Sequence, residues 1–181
     1  MNTRPELNEY DPFYHRYICL APEGNIKDVL MNQKKTAAEF FGNFSEEQSY
    51  FSYAPEKWSI KEVLGHITDT ERIMAYRLLA IARGESVSLP GFDENSYVAN
   101  ASFNQRSLQD LIDDFLLVRE SSISLIKSLQ PDLLTRLGEA NQSKVSVRAL
   151  GYIIAGHELH HRKILKERYA ASPEFPQYNR I

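Results

Sequence analysis

Four stretches of this chain carry apolar residues at helical spacing, and no alternating strand pattern or internal repeat competes with them, which restricts the fold to packed helices. The first runs over about 25–44, where Ile26, Val29, Leu30, Ala37, Phe40, Phe41 and Phe44 share a face and Asn25 can cap the start. The second begins with Ser59-Ile60-Lys61-Glu62, a capping box flanked by Trp58 and Val63 as a hydrophobic staple, and continues to Arg83 ahead of Gly84. The third spans Ser107 to Leu129, stopped by Pro131, with Leu108, Leu111, Ile112, Phe115, Val118, Leu125 and Ile126 inward. The fourth runs from Ser146 to Tyr169 on a face of Leu150, Ile153, Ile154, Ile164 and Leu165. The expected architecture is an all-α four-helix bundle.

Long segments flank and join these helices. About 20 residues, 85–104, separate the second from the third and include Leu89-Pro90-Gly91-Phe92-Asp93-Glu94-Asn95, a length that points to a lid or binding segment. Residues 1–23 hold Tyr10, Phe13, Tyr14 and Tyr17, too aromatic for a solvated tail, so an arm packed on the helices is expected. With 181 residues and no linker, one domain over 1–181 is expected: a bundle over 24–169, the arm, and a short tail over 170–181.

Net charge is −3, without a run of five like charges, which disfavours nucleic acid and anionic membrane as partners. The single cysteine, Cys19, cannot form an internal disulfide, and Met1-Asn2-Thr3-Arg4-Pro5-Glu6 lacks the apolar stretch of a secretory signal, so a cytoplasmic location is expected.

The chemistry concentrates on histidine. In Ala155-Gly156-His157-Glu158-Leu159-His160-His161-Arg162, His157 and His161 lie one turn apart on the inward face of the fourth helix, the spacing at which two imidazoles grip one ion. His66 projects from the flank of the second helix, about 80° from the centre of its apolar face at about 100° per residue, and is the third expected ligand. The competing reading is that each ring is a hydrogen-bonded core group; but burying a pair of histidines centrally on an apolar face costs a few kcal/mol per unpaired nitrogen, which one shared ion removes. His160 is expected beside the site rather than in it, Glu62 either orients His66 or merely completes the capping box, and Arg119, within the apolar face of the third helix, either pairs with an acid or offers an anion contact. His157-Glu158-Leu159-His160-His161 also spells a zincin motif with Glu158 as base, but the short segment that follows has no room for the third ligand in its usual context.

Trp58-Ser59-Ile60-Lys61-Glu62 followed by His66, then His157 and His161-Arg162, resembles the DinB-like (DinB/YfiT) superfamily of metalloenzymes over approximately Gly24 to Tyr169. That resemblance implies an up-and-down-type four-helix bundle with a long connection after the second helix and a divalent ion on His66, His157 and His161, with zinc or nickel ahead of iron or manganese. It departs at Arg162-Lys163-Ile164, where many relatives continue Arg-Gly-Gln. It also implies one of three functions: transfer of a small thiol such as bacillithiol or mycothiol to an electrophile, the leading expectation; hydrolysis by activated water; or a non-catalytic binding module. A small-molecule substrate and a homodimer are the expected partners.

Overall fold

A computed structural model describes residues 3–177. The helices in chain order are α1 (His15–Ile18), α2 (Ile26–Gly42), α3 (Ile60–Ala82), α4 (Glu94–Ala101), α5 (Leu108–Lys127) and α6 (Val147–Ile164), the last running into a π-helical turn, Leu165–Ala170. Four of them, α2, α3, α5 and α6, form the bundle, and each begins on a capping side chain, at Asn25 and Ser59 as the sequence nominates and also at Ser107 and Ser146. Asn25 Oδ1 accepts from Lys27 N, Ser107 Oγ from Asp110 N and Ser146 Oγ from Ala149 N. At Ser59 the box is reciprocal: Ser59 Oγ accepts from Glu62 N at 3.1 Å and Glu62 Oε2 accepts from Ser59 N at 2.7 Å.

The bundle is not a simple up-and-down one. Lys61 donates to the carbonyl of Arg106 beside the start of α5, and farther along Arg72 pairs with Asp114 and Glu71 with Arg119, so α3 and α5 run parallel. Gln33 meets Ala155 and Thr36 meets Arg162, so α2 and α6 are parallel as well. Two helices consecutive in the bundle can point the same way only if the chain between them returns the length of the bundle. The long connection does this, and it is not structureless. It hydrogen-bonds along a small hairpin through Leu89, then forms α4 and a 3-10 turn, Phe103–Gln105.

That hairpin, β1 (Leu137–Ala140) antiparallel to β2 (Ser143–Ser146), corrects the all-helical expectation locally. Asn141 and Gln142 turn it at φ 51° and 61°, the backbone of a tight two-residue turn. Four-residue strands reading Leu-Gly-Glu-Ala and Ser-Lys-Val-Ser are too short and too polar to show period-two patterning.

The apolar core falls into two clusters. One gathers the amino-terminal halves of α2 and α6 with the carboxy-terminal halves of α3 and α5, around Leu30, Leu78, Ile123 and Ile153; the other holds the opposite halves around Phe41, Leu64, Phe115 and Leu165. Between them, at the middle of every bundle helix, lies a polar layer. Arg119, with no exposed surface, donates from Nε and Nη2 to Glu71 and from Nη1 to Gln33, and Gln33 Nε2 donates to the Ala155 carbonyl at 3.0 Å. Buried Glu158 adds an ion pair to Arg162 at 2.7 Å.

The arm is ordered, as its aromatics require. Tyr10 and Tyr17 are buried, and Glu9 is clamped by Arg148 and by Ser146 Oγ at 2.7 Å. Met1, Asn2 and the tail beyond 177 lie outside the described residues.

Candidate metal centre

α3 and α6 are antiparallel neighbours, and their crossing just beside the polar layer brings His66, His157 and His161 together. One ligand atom from each lies within 4.8 Å of the others. His157 Nε2 is 3.1 Å from both His66 Nε2 and His161 Nε2. A single imidazole nitrogen carries either one hydrogen or one lone pair, so these two contacts cannot both be satisfied as hydrogen bonds. A cation between the rings satisfies them together. The 3.1 Å spacing also fits, since two metal–nitrogen bonds of about 2.0–2.1 Å subtend an edge of about 2.9–3.4 Å between octahedral and tetrahedral angles.

Electrostatics keep these rings neutral. Burial pushes the His66 imidazole down to about 4. For His157 and His161 burial again comes first, with the neighbouring histidines adding to it, and both are held well below the ordinary 6.5. Neutral imidazole is the form that ligates, so an ion can enter without displacing protons near neutral pH.

His66 is more buried than its helical projection suggests, at 3% exposure. Its flank is covered from outside α3: Trp58 lies on the ring at a centroid distance of 4.7 Å, and α6 and the long connection close over it. The connection approaches closely because residue 65 is glycine; a Cβ there would meet the Phe103 ring at 2.4 Å. On the other side the Tyr17 ring packs edge-on against His157 and His160, at 5.4 and 5.1 Å.

The remaining sequence-nominated residues divide. His160 stays outside the cluster, between Tyr17 and His161. Glu62 is held by the capping box. Arg119 has every nitrogen engaged with Glu71 and Gln33 in the polar layer and no exposed surface, which keeps it out of a ligand's reach; the acid-pairing alternative describes its position, and the anion-contact one does not. Glu158 is paired with Arg162 and feels Arg119 and Glu71 of the polar layer.

One cavity of about 220 Å³ opens onto His161, walled by Trp58, Val63, Ile164 and Tyr169, with Tyr53, Glu56, Lys57 and Asn95 around it. Sequence reasoning placed Asn95 in a binding segment and Trp58 and Val63 at the start of the second helix, but did not bring them together as walls of one site. Trp58 and Tyr169 enter only because Tyr169 Oη donates to the Trp58 carbonyl at 2.8 Å, fastening the end of α6 to the start of α3.

Among the described residues no helix is long and apolar enough to cross a membrane. YfiT from Bacillus subtilis, described as a probable metal-dependent hydrolase with an unusual four-helix bundle topology, superposes with a TM-score of 0.67 at 13% identity, over 92% of this chain and 91% of that one. No individually curated protein sequence matches the chain. The family model of the DinB superfamily matches residues 32–165, and the chain belongs to that superfamily.

Proposed function

We propose that this protein is a metal-dependent enzyme acting on a small molecule, with His66, His157 and His161 holding a divalent ion through Nε2 and hydrolysis as its reaction. One observation carries the reading: three neutral imidazoles, two buried and His161 half-buried, converge beside an open cavity, with His157 Nε2 shared at 3.1 Å by both neighbours. Three protein ligands leave room for an exogenous group, the arrangement of catalytic rather than structural sites. A divalent ion there supplies Lewis acidity, drawing the pKa of water toward neutrality or holding a thiol as thiolate.

The chain's own residues account for the surroundings. Trp58 and Tyr17 fix the rings of His66 and His157 by contact, so the nitrogens are preset rather than gathered by the ion. Val63, Ile164 and Trp58 give the cavity apolar walls that exclude water beside the reacting group, and the Asn95 amide and Lys57 ammonium offer polar contacts. YfiT, which shares the fold, supports hydrolysis by analogy.

Transfer of a small thiol to an electrophile is the second reading. Lys57 and Asn95 favour it, because a peptide-like thiol presents the carboxylate and amide groups that such side chains bind. Zinc and nickel suit the all-nitrogen ligand set. Pairing of two copies through the arm belongs to the same proposal, supported by Leu7 and Phe13 at 71% and 57% exposure and read by sedimentation equilibrium.

The test is elemental mass spectrometry of untagged protein, followed by ester and amide hydrolysis with and without added thiol. The reading expects near-stoichiometric metal that is lost in His66→Ala, His157→Ala and His161→Ala, with turnover that follows the metal. Turnover only with thiol selects the second reading. Metal without turnover in either assay leaves a binding module, and no metal after incubation with zinc and nickel overturns the enzyme.

A further inference from the structure

The long connection does more than return the chain. It carries a carboxylate to the histidines: Glu94, the first residue of α4, places Oε2 at 3.9 Å from His66 Nε2. Among the described residues this is the carboxylate that comes so near one of the three imidazoles. Glu56, at the rim of the cavity, comes within 4.0 Å of none of the three rings, and the acids closest along the helices are committed. Glu62 is in the capping box, Glu158 is paired with Arg162, and Glu71 with Arg119. The Glu94 carboxylate makes no hydrogen bond among the described residues and the side chain keeps 57% of its surface exposed, so it is free to move.

Its backbone, by contrast, is fixed. Asp93 caps α4, accepting from Asn95 N at 2.9 Å and Ser96 N at 3.2 Å. Val98 is buried, and Phe103 lies on Gly65 in the turn of α3 that carries His66. Asn104 accepts from Ser59 Oγ at 2.7 Å and ties the end of the segment to the cap of α3. The next residue along, Asn95, lines the cavity that His161 also lines. A seated helix that ends in an unengaged acid beside a cluster of neutral rings has the build of a ligand donor rather than of a solvated surface.

Charge supplies the reason. Three neutral imidazoles leave both positive charges of a divalent ion uncompensated in a buried pocket, and burying unpaired charge is expensive. One carboxylate halves that charge. The 3.9 Å separation is from His66, against a ligand-to-ligand edge of about 2.9–3.4 Å, and Glu94 stands outside the set of ligand atoms within 4.8 Å of one another, so rotation of its exposed side chain must carry the carboxylate in to the ion.

The geometry points to Glu94 as a fourth donor to the ion held by the three histidines, delivered by the long connection. This rests on the three-histidine reading above. The test uses Co²⁺ and Zn²⁺ with the full chain: affinity by competition with a chelating dye, and visible absorption of the Co²⁺ form, for the wild type, Glu94→Gln and, as a control that removes a charge from the same connection, Glu85→Gln. The expectation is that Glu94→Gln binds at least tenfold more weakly and shifts the Co²⁺ bands, while its metal-free melting temperature and the behaviour of Glu85→Gln match the wild type. Weakened affinity with unchanged Co²⁺ bands makes Glu94 a distant charge and overturns ligation, as does unchanged affinity. If the wild type binds through its histidines and Glu94→Gln is unaffected, only this inference falls. If the wild type binds no ion, both readings fall.

Discussion

Arg119 carries a full charge where no water reaches it, and its guanidinium is matched by Glu71 through two of its nitrogens and by Gln33 through the third. Removing one member strands the other, so Glu71→Ala is expected to lower stability by about 3–5 kcal/mol, whereas replacing both Glu71 and Arg119 by Met restores most of the loss. Urea unfolding of the two variants measures this. The pair was half legible in the sequence. Arg119 visibly interrupts an apolar stripe, and Glu71 interrupts another midway between Ile67 and Met74; two opposite charges each breaking a stripe at its centre is the signal for a buried pair. The histidines of α6 were legible from their spacing and their place on the face. The burial of His66 was not, because a helical projection sees its own helix and not the Trp58 ring, the crossing of α6 or the connection that covers that flank. Glu94 was invisible for the same reason, being 28 residues from His66 along the chain.

The four bundle helices were readable because each opens on a capping side chain and carries a period of its own; their directions were not, since α3 and α5 run parallel only through contacts that no local pattern reports. Close approach between elements is similarly silent until Gly156 is seen against the arm. A Cβ at Gly156 would lie 1.8 Å from the Tyr17 carbonyl oxygen, a backbone atom with nowhere to rotate. Gly156→Ala is therefore expected to displace the arm, lowering stability by about 1–3 kcal/mol despite the better helix propensity of alanine. Limited proteolysis should cut faster within residues 10–20, and metal affinity should fall because Tyr17 no longer backs His157. Gly42, with nothing near its Cβ direction, is the control in which alanine leaves proteolysis unchanged.

Two properties belong to the molecule as a whole. Burial raises the Glu9 carboxyl, but hydrogen bonds from Arg148, the Glu6 amide and Ser146 outweigh it and hold the group below its ordinary 4.5. The folded chain thus binds fewer protons at this site than the unfolded one. Its contribution is complete above 4.5 and drains away as pH falls through the lower folded value, and Glu9→Gln should flatten the acid limb of the melting-temperature profile. An ion that binds only the folded state adds about 2.7 kcal/mol at a hundredfold excess over its dissociation constant, so zinc or nickel should raise the melting temperature of the wild type and leave His157→Ala unmoved.

The polar layer between the two apolar clusters also bears on alternative packings. Helices with greasy stripes can slip past one another by a turn, about 5.4 Å, and meet a similar surface again. Such a slip exceeds the 4.8 Å that spans the three histidine ligand atoms, and would dissolve the site while leaving a plausible bundle. Here it would also drag Arg119 away from Glu71 and Gln33 away from Ala155, turning each satisfied group into a buried orphan. The layer acts as a vernier, accepting one alignment of α3 against α6 and rejecting its neighbours.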